Sequence, residues 1–125
     1  MITDSRLYKA LIECHNIPFD WKTNNCGLFV ANVFNKLYGI DIANGLRGQY
    51  EDEKSAFQFV KNLGGWDIIL TSKGFVRRKN DAIYIGDVVI SENALGIFDG
   101  YRGLFAGGVF RERNKITDAY EYLEK

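Results

Sequence analysis

One proline, one methionine, one histidine and two cysteines are all that this 125-residue sequence holds of those types. Each shortage excludes something. With one histidine, and neither a Cys-x-x-Cys nor a paired-histidine spacing, no metal site is expected, and no cofactor either. Cys14 and Cys26 are too few for a disulfide scaffold and suit a reducing compartment. A Cys14–Cys26 bridge is conceivable but disfavoured. Charge of one sign is also lacking: sixteen Lys and Arg balance sixteen Asp and Glu. No field therefore draws the protein to nucleic acid or an anionic membrane. No apolar run approaches the roughly 18 residues that span a bilayer. The start, Met1-Ile2-Thr3-Asp4-Ser5-Arg6, has no basic region followed by an apolar one, so no signal peptide is expected. There is no internal repeat, linker or low-complexity segment.

What is present is an ordinary globular balance, 46% hydrophobic and 26% charged. It predicts one domain over 1–125, with a helical part at about 4–72 and a sheet part at about 75–123. The chain is organised around Asn24-Asn25-Cys26-Gly27-Leu28-Phe29-Val30. Asn24 or Asn25 caps a helix by accepting a backbone N–H. Behind the cap, Cys26, Phe29, Val30, Val33 and Leu37 recur at helical spacing, and Gly39 supplies the stop. Cys26 thus sits at the positive end of a helix and on its buried face. That placement favours thiolate and is how a nucleophile is built. It also describes a small buried hydrophobe, the commoner case, since cysteine is among the most buried residue types.

Residues 4–15 read as a first helix, with Asp4 as a plausible cap, ending where Pro18 disfavours helical geometry at Ile17. His15, at its C-terminal end, is expected to be a surface or capping residue rather than a base. Phe19 and Trp21 stand in a loop and need burial. Arg47 near Tyr50 is an internal anchor or a ligand contact. Residues 52–63 form a third helix with Ala56, Phe59, Val60 and Leu63 on one face, closed by Gly64-Gly65. Residues 66–70 are a helical turn or a strand. Strands are expected near 75–78, 86–91, 94–99, 103–106 and 108–112, with a turn at Gly100-Tyr101-Arg102-Gly103. Residues 118–123 are a last strand or a helical turn. The run Arg77-Arg78-Lys79 is explained by a solvated face. Helices first and an antiparallel sheet second make an α+β arrangement.

Several stretches carry a resemblance. Pro18-Phe19-Asp20-Trp21 resembles the Pro-Tyr-x-Trp that precedes the cysteine in NlpC-type cell-wall hydrolases, a branch of the papain-like folds. Asn25-Cys26-Gly27-Leu28-Phe29-Val30 resembles their Asp-Cys-Ser-Gly-Phe-Val. Ile85-Gly86-Asp87-Val88-Val89-Ile90 resembles their Gly-Asp-Leu-Val-Phe strand. Ala94-Leu95-Gly96-Ile97-Phe98-Asp99-Gly100 resembles the His-Val-Gly-Ile-Tyr-x-Gly strand that bears the catalytic histidine. Gly39-Ile40-Asp41 and Arg47-Gly48-Gln49-Tyr50 are similar to a family of short phage and prophage proteins related to those hydrolases. The resemblance covers about residues 17–112. It implies helices packed on a small, partly open antiparallel barrel, with Cys26 in the nucleophile position.

The departures from the pattern bear on function. The histidine position is Ala94, which carries no proton. The residue that would orient the histidine falls near Leu104-Phe105-Ala106, all apolar. The tyrosine hydroxyl is lost at Phe19, and the Asp before the cysteine is Asn25. The implied function is a catalytically degenerate domain of phage or prophage origin that acts in binding or assembly, virion- or tail-associated. Its groove candidates are Phe19, Trp21, Asn25, Arg47 and Tyr50. The partner would be a protein or peptide, including phage structural proteins, met in the host cytoplasm during assembly or in the virion. The alternatives are an active cysteine hydrolase cleaving peptidoglycan peptides or another amide, with His15 as the sole substitute base, and a phage-encoded binder of a host factor.

Overall fold

The second helix is where sequence and packing agree most closely. In the computed structural model, which describes residues 4–123, α2 spans Cys26–Tyr38. Its apolar stripe is buried to the last atom at Phe29, Val30 and Val33, each at 0% exposure. Gly39 ends it in the left-handed region, φ 69°, returning its N–H to Asn35 O. A residue without Cβ adopts that conformation at no steric cost. Helix α1, Asp4–His15, lies against α2 through Leu7, Leu11 and Cys14. Helix α3, Glu53–Asn62, begins with a capping box between Asp52 and Ser55. Helix α4 spans Trp66–Ser72, so the ambiguous run after Gly65 is helical; Trp66, Ile69 and Leu70 are its buried face.

Strands β1 (Phe75–Arg77), β2 (Val88–Ser91), β3 (Ala94–Phe98), β4 (Arg102–Phe105), β5 (Val109–Glu112) and β6 (Asp118–Tyr122) follow. They form one antiparallel sheet in the order β1-β6-β2-β3-β4-β5. The last segment is therefore a strand, inserted between β1 and β2. The expectation of a partly open barrel is met only in that the sheet is not closed. Strands β1 and β5 are opposite edges of an open sheet, and three- and four-residue edges carry too little ladder to meet each other. The architecture is α+β.

One sheet face carries Val88, Ile90, Leu95, Ile97, Leu104 and Tyr120 into the core shared with α1, α2 and α4. The other carries Val89, Phe98, Phe105 and Ala119, closed over by Ile83 and Ile116. Two glycines make the second face possible. A Cβ on Gly96 would lie 2.6 Å from Leu104 O and from the Phe105 ring; one on Gly103 would lie 2.7 Å from that ring. Gly103 is thus a strand residue required by close packing. The turn it was assigned to occupies the residues just before β4.

Two burial expectations fail, that for Phe19 with Trp21 and that for His15. Helix α3 keeps Ala56, Phe59 and Val60 half-buried on the expected face, with Leu63 exposed and no residue fully buried. It lies on the outside of the fold, where one face meets the body and the rest meets water. Phe19 is exposed and Trp21 only half-buried, their rings packed edge-on against each other at 4.9 Å. His15, expected at the surface, is 5% exposed.

Phe29→Ala is expected to cost about 3–5 kcal/mol of stability through the cavity it leaves. Gly96→Ala is expected to cost about 1–3 kcal/mol through overpacking. Both are read as lower urea midpoints at unchanged slope.

Candidate functional site

Asn25 assembles the site. Its Oδ1 accepts from Leu28 N at 3.0 Å, the N-cap bond of α2, and from the Tyr50 hydroxyl at 3.3 Å. Its Nδ2 donates to Trp21 O at 2.9 Å. One buried amide therefore joins the loop before the helix, the helix itself and the Tyr50 segment. An aspartate could cap, but it has no donor for Trp21 O. Gly27 completes the fit: a Cβ there would lie 3.2 Å from Tyr50 Oη. Asn24, the other cap candidate, instead ties the preceding loop through Nδ2 to Ile17 O and Pro18 O.

Cys26 follows the cap and is half-buried. Burial pushes its thiol above the ordinary value, outweighing the backbone N–H groups of Leu95, Gly27 and Cys26 that favour the thiolate. Of the two alternatives its placement left open, this favours the buried hydrophobe over the helix-activated thiolate. The helix end contributes a fraction of a charge, whereas desolvation penalises a whole one. Tyr50 is likewise raised, by burial and then by the nearby Cys26, so its phenol stays protonated. The facing strand start is β3, where Leu95 meets the sulfur and Ala94 comes just before it.

Around the sulfur lies a groove of about 1370 Å³, into which Phe19, Trp21, Cys26, Tyr50 and Ala94 all open. Its far wall is α3, with Phe57 56% exposed, and its floor includes Trp66, whose Nε1 donates to Asn93 O at 3.0 Å. Glu92, Asn93 and Arg111 form the remaining rim. Sequence reasoning missed these. The available signal was the two-residue link Glu92-Asn93 between apolar strands, which sets a hairpin tip directly before Ala94.

The family of proteins described as a domain of unknown function, DUF6950, matches residues 2–122. The chain belongs to that family. No curated protein matches it.

In this DUF6950 chain two groove candidates fall elsewhere. Asn25 lies beneath the groove, as the cap. Arg47 is not in the lining; it pairs with Asp41 at 2.8 Å within the glycine-rich connection, which is the anchor role. His15, the last residue of α1, is held against β5. Its Nε2 lies 2.9 Å from Val109 O, and its ring packs edge-on against Phe110 at 4.5 Å. A carbonyl only accepts, so Nε2 carries the proton and is not free to take one. Cys14 and Cys26 are both free thiols. The basic run is paired rather than merely solvated: Arg77 with Asp118, Arg78 with Asp87 and Glu121. No group of three or more His, Cys, Asp or Glu among the described residues is placed to hold a metal ion, and no helix there is long and apolar enough to cross a membrane.

Asn25→Asp is expected to destabilise by about 1–3 kcal/mol, since it leaves Trp21 O unpaired in a buried site; chemical denaturation measures it. Because the Cys26 thiol is raised, its alkylation by iodoacetamide should be slow at pH 7. The rate should climb with pH past the ordinary thiol range without an earlier plateau, as followed by mass spectrometry of the Cys26 peptide.

Proposed function

We propose that this DUF6950 chain is a catalytically silent papain-like domain, related to NlpC-type hydrolases, whose groove holds a peptide or a partner's loop. The observation that carries the reading is at the start of β3. The backbone N–H of Leu95 faces the Cys26 sulfur, and the residue before it, in the histidine position of the resemblance, is Ala94. Amide hydrolysis by a thiol needs a base for the sulfur and an acid for the leaving amine. Losing a positioned base costs about a hundred- to ten-thousand-fold in rate. Here the thiol is also pushed up by burial, and the residues where an orienting partner would stand, Leu104, Phe105 and Ala106, are buried and apolar.

What is left is a binding surface. The groove stays open and lined by aromatic side chains, and its shape is held by the Asn25 and Trp66 hydrogen bonds rather than by the thiol. A role in phage or prophage assembly, with a structural protein as partner, belongs to the same reading and rests on the Gly39-Ile40-Asp41 and Arg47-Gly48-Gln49-Tyr50 motifs.

The test is turnover against peptidoglycan peptides, together with capture of phage structural proteins, by the wild type and two variants. No turnover is expected. Cys26→Ser should keep both fold and binding, at a stability cost of about 1–2 kcal/mol. Trp21→Ala should lose binding. Peptide cleavage by the wild type that Cys26→Ser abolishes would establish the hydrolase instead.

A further inference from the structure

Arg111 lies across the sheet and ends at the groove, which Lys54 and Lys61 also line. Arg111 starts on β5, where its cross-strand partner is Gly103, so no side chain on β4 blocks its path at that register. Its guanidinium carbon sits 5.6 Å from the centre of the Phe105 ring, and Nη1 reaches Glu92 Oε2 at 2.6 Å. A guanidinium offers five N–H donors in a planar fork. The Nε of this one is shielded from water and finds no acceptor among the described residues. That Nε is closed to solvent, so a ligand meets this guanidinium at its terminal nitrogens, where Glu92 now sits, and a charge-assisted bond to them is of the stronger kind.

Glu92 is poorly suited to be the permanent partner. Its side chain is 70% exposed against 29% for Arg111, and an ion pair with so open a member is weak. It also stands in the left-handed region, φ 50°, which a glutamate adopts only under strain. The pair is a cation set in the groove wall with a weakly held carboxylate over it.

We propose that the groove takes a peptide segment in which an acidic side chain stands beside an aromatic or aliphatic one. The carboxylate displaces Glu92 from Arg111, and the apolar residue lies on Trp21, Trp66 and Phe57. An acidic side chain is favoured over a chain terminus because the carboxylate that already occupies Arg111 is itself a glutamate side chain. The inference rests on the peptide-binding reading of the groove and specifies its ligand.

An array of acetylated, amidated hexapeptides tests it, with the central pair fixed as glutamate–X or glutamine–X across apolar and polar X. Wild-type protein should prefer glutamate beside phenylalanine or leucine by about tenfold, the range of a charge-assisted contact, and the preference should shrink in high salt. Arg111→Gln should erase it. Glu92→Gln should strengthen glutamate-peptide binding severalfold by removing the competitor, an effect that general damage to the fold cannot produce. Thermal unfolding checks that each variant is folded. Equal binding of glutamine and glutamate peptides, or unchanged or weaker binding by Glu92→Gln, would overturn the inference and leave the groove reading standing. Retention only of versions with a free C-terminal carboxylate would replace the side chain with a chain end. No retained peptide, or retention indifferent to Trp66→Ala, would remove both.

Discussion

The buried amide of Asn25 is the constraint on which the site depends. A helix end leaves its first N–H groups without intrahelical partners, and one of them is satisfied here by a side chain that has two further obligations. Through Trp21 O and the Tyr50 hydroxyl, the same group fixes the aromatic loop and the glycine-rich connection relative to α2. In low dielectric such a network is costly to leave half-made, so the three segments are held in one arrangement. The groove is the space that arrangement encloses.

The thiol at its centre illustrates how opposing electrostatic effects are ranked. Position on the helix argues for a thiolate, and so do the N–H groups that face the sulfur. Burial argues against it and prevails. Among the described residues no cation acts on the sulfur to compensate, and Arg111, which shares the groove, is engaged with Glu92. Cys26 thus has a nucleophile's placement without stabilisation of its thiolate, which is what the proposed silent domain requires. The second face of the open sheet is sealed by Phe105 lying over two glycines, so the sheet needs no closure to bury that side.

Much of the framework was legible along the chain. The period of α2, its asparagine cap and its glycine stop are local signals, as are the bounds of α1 and the two-residue link between β2 and β3. The failures have a common cause. The burial of Phe19 was inferred from residue type, yet it lines the groove, where an apolar ring is left facing water. Arg47 was near Tyr50 in sequence, but its guanidinium answers to Asp41, six residues back. Trp66 and Arg111 carried no local mark at all, since what brings them to the site is helix packing and strand register.

Sequence by itself determined the α+β order of elements, the capped helix that presents Cys26, and the absence of an imidazole on the strand facing it. Those depend on residue identity and on spacing of a few positions, which no later packing can change. Tertiary structure alone decided that the sheet stays open, that the Cys26 thiol is raised rather than lowered, and which side chains rim the groove. Each of those is a sum over neighbours from distant segments: desolvation counts every atom around the sulfur, and a wall is made only when α3, the β2–β3 turn and β5 arrive together.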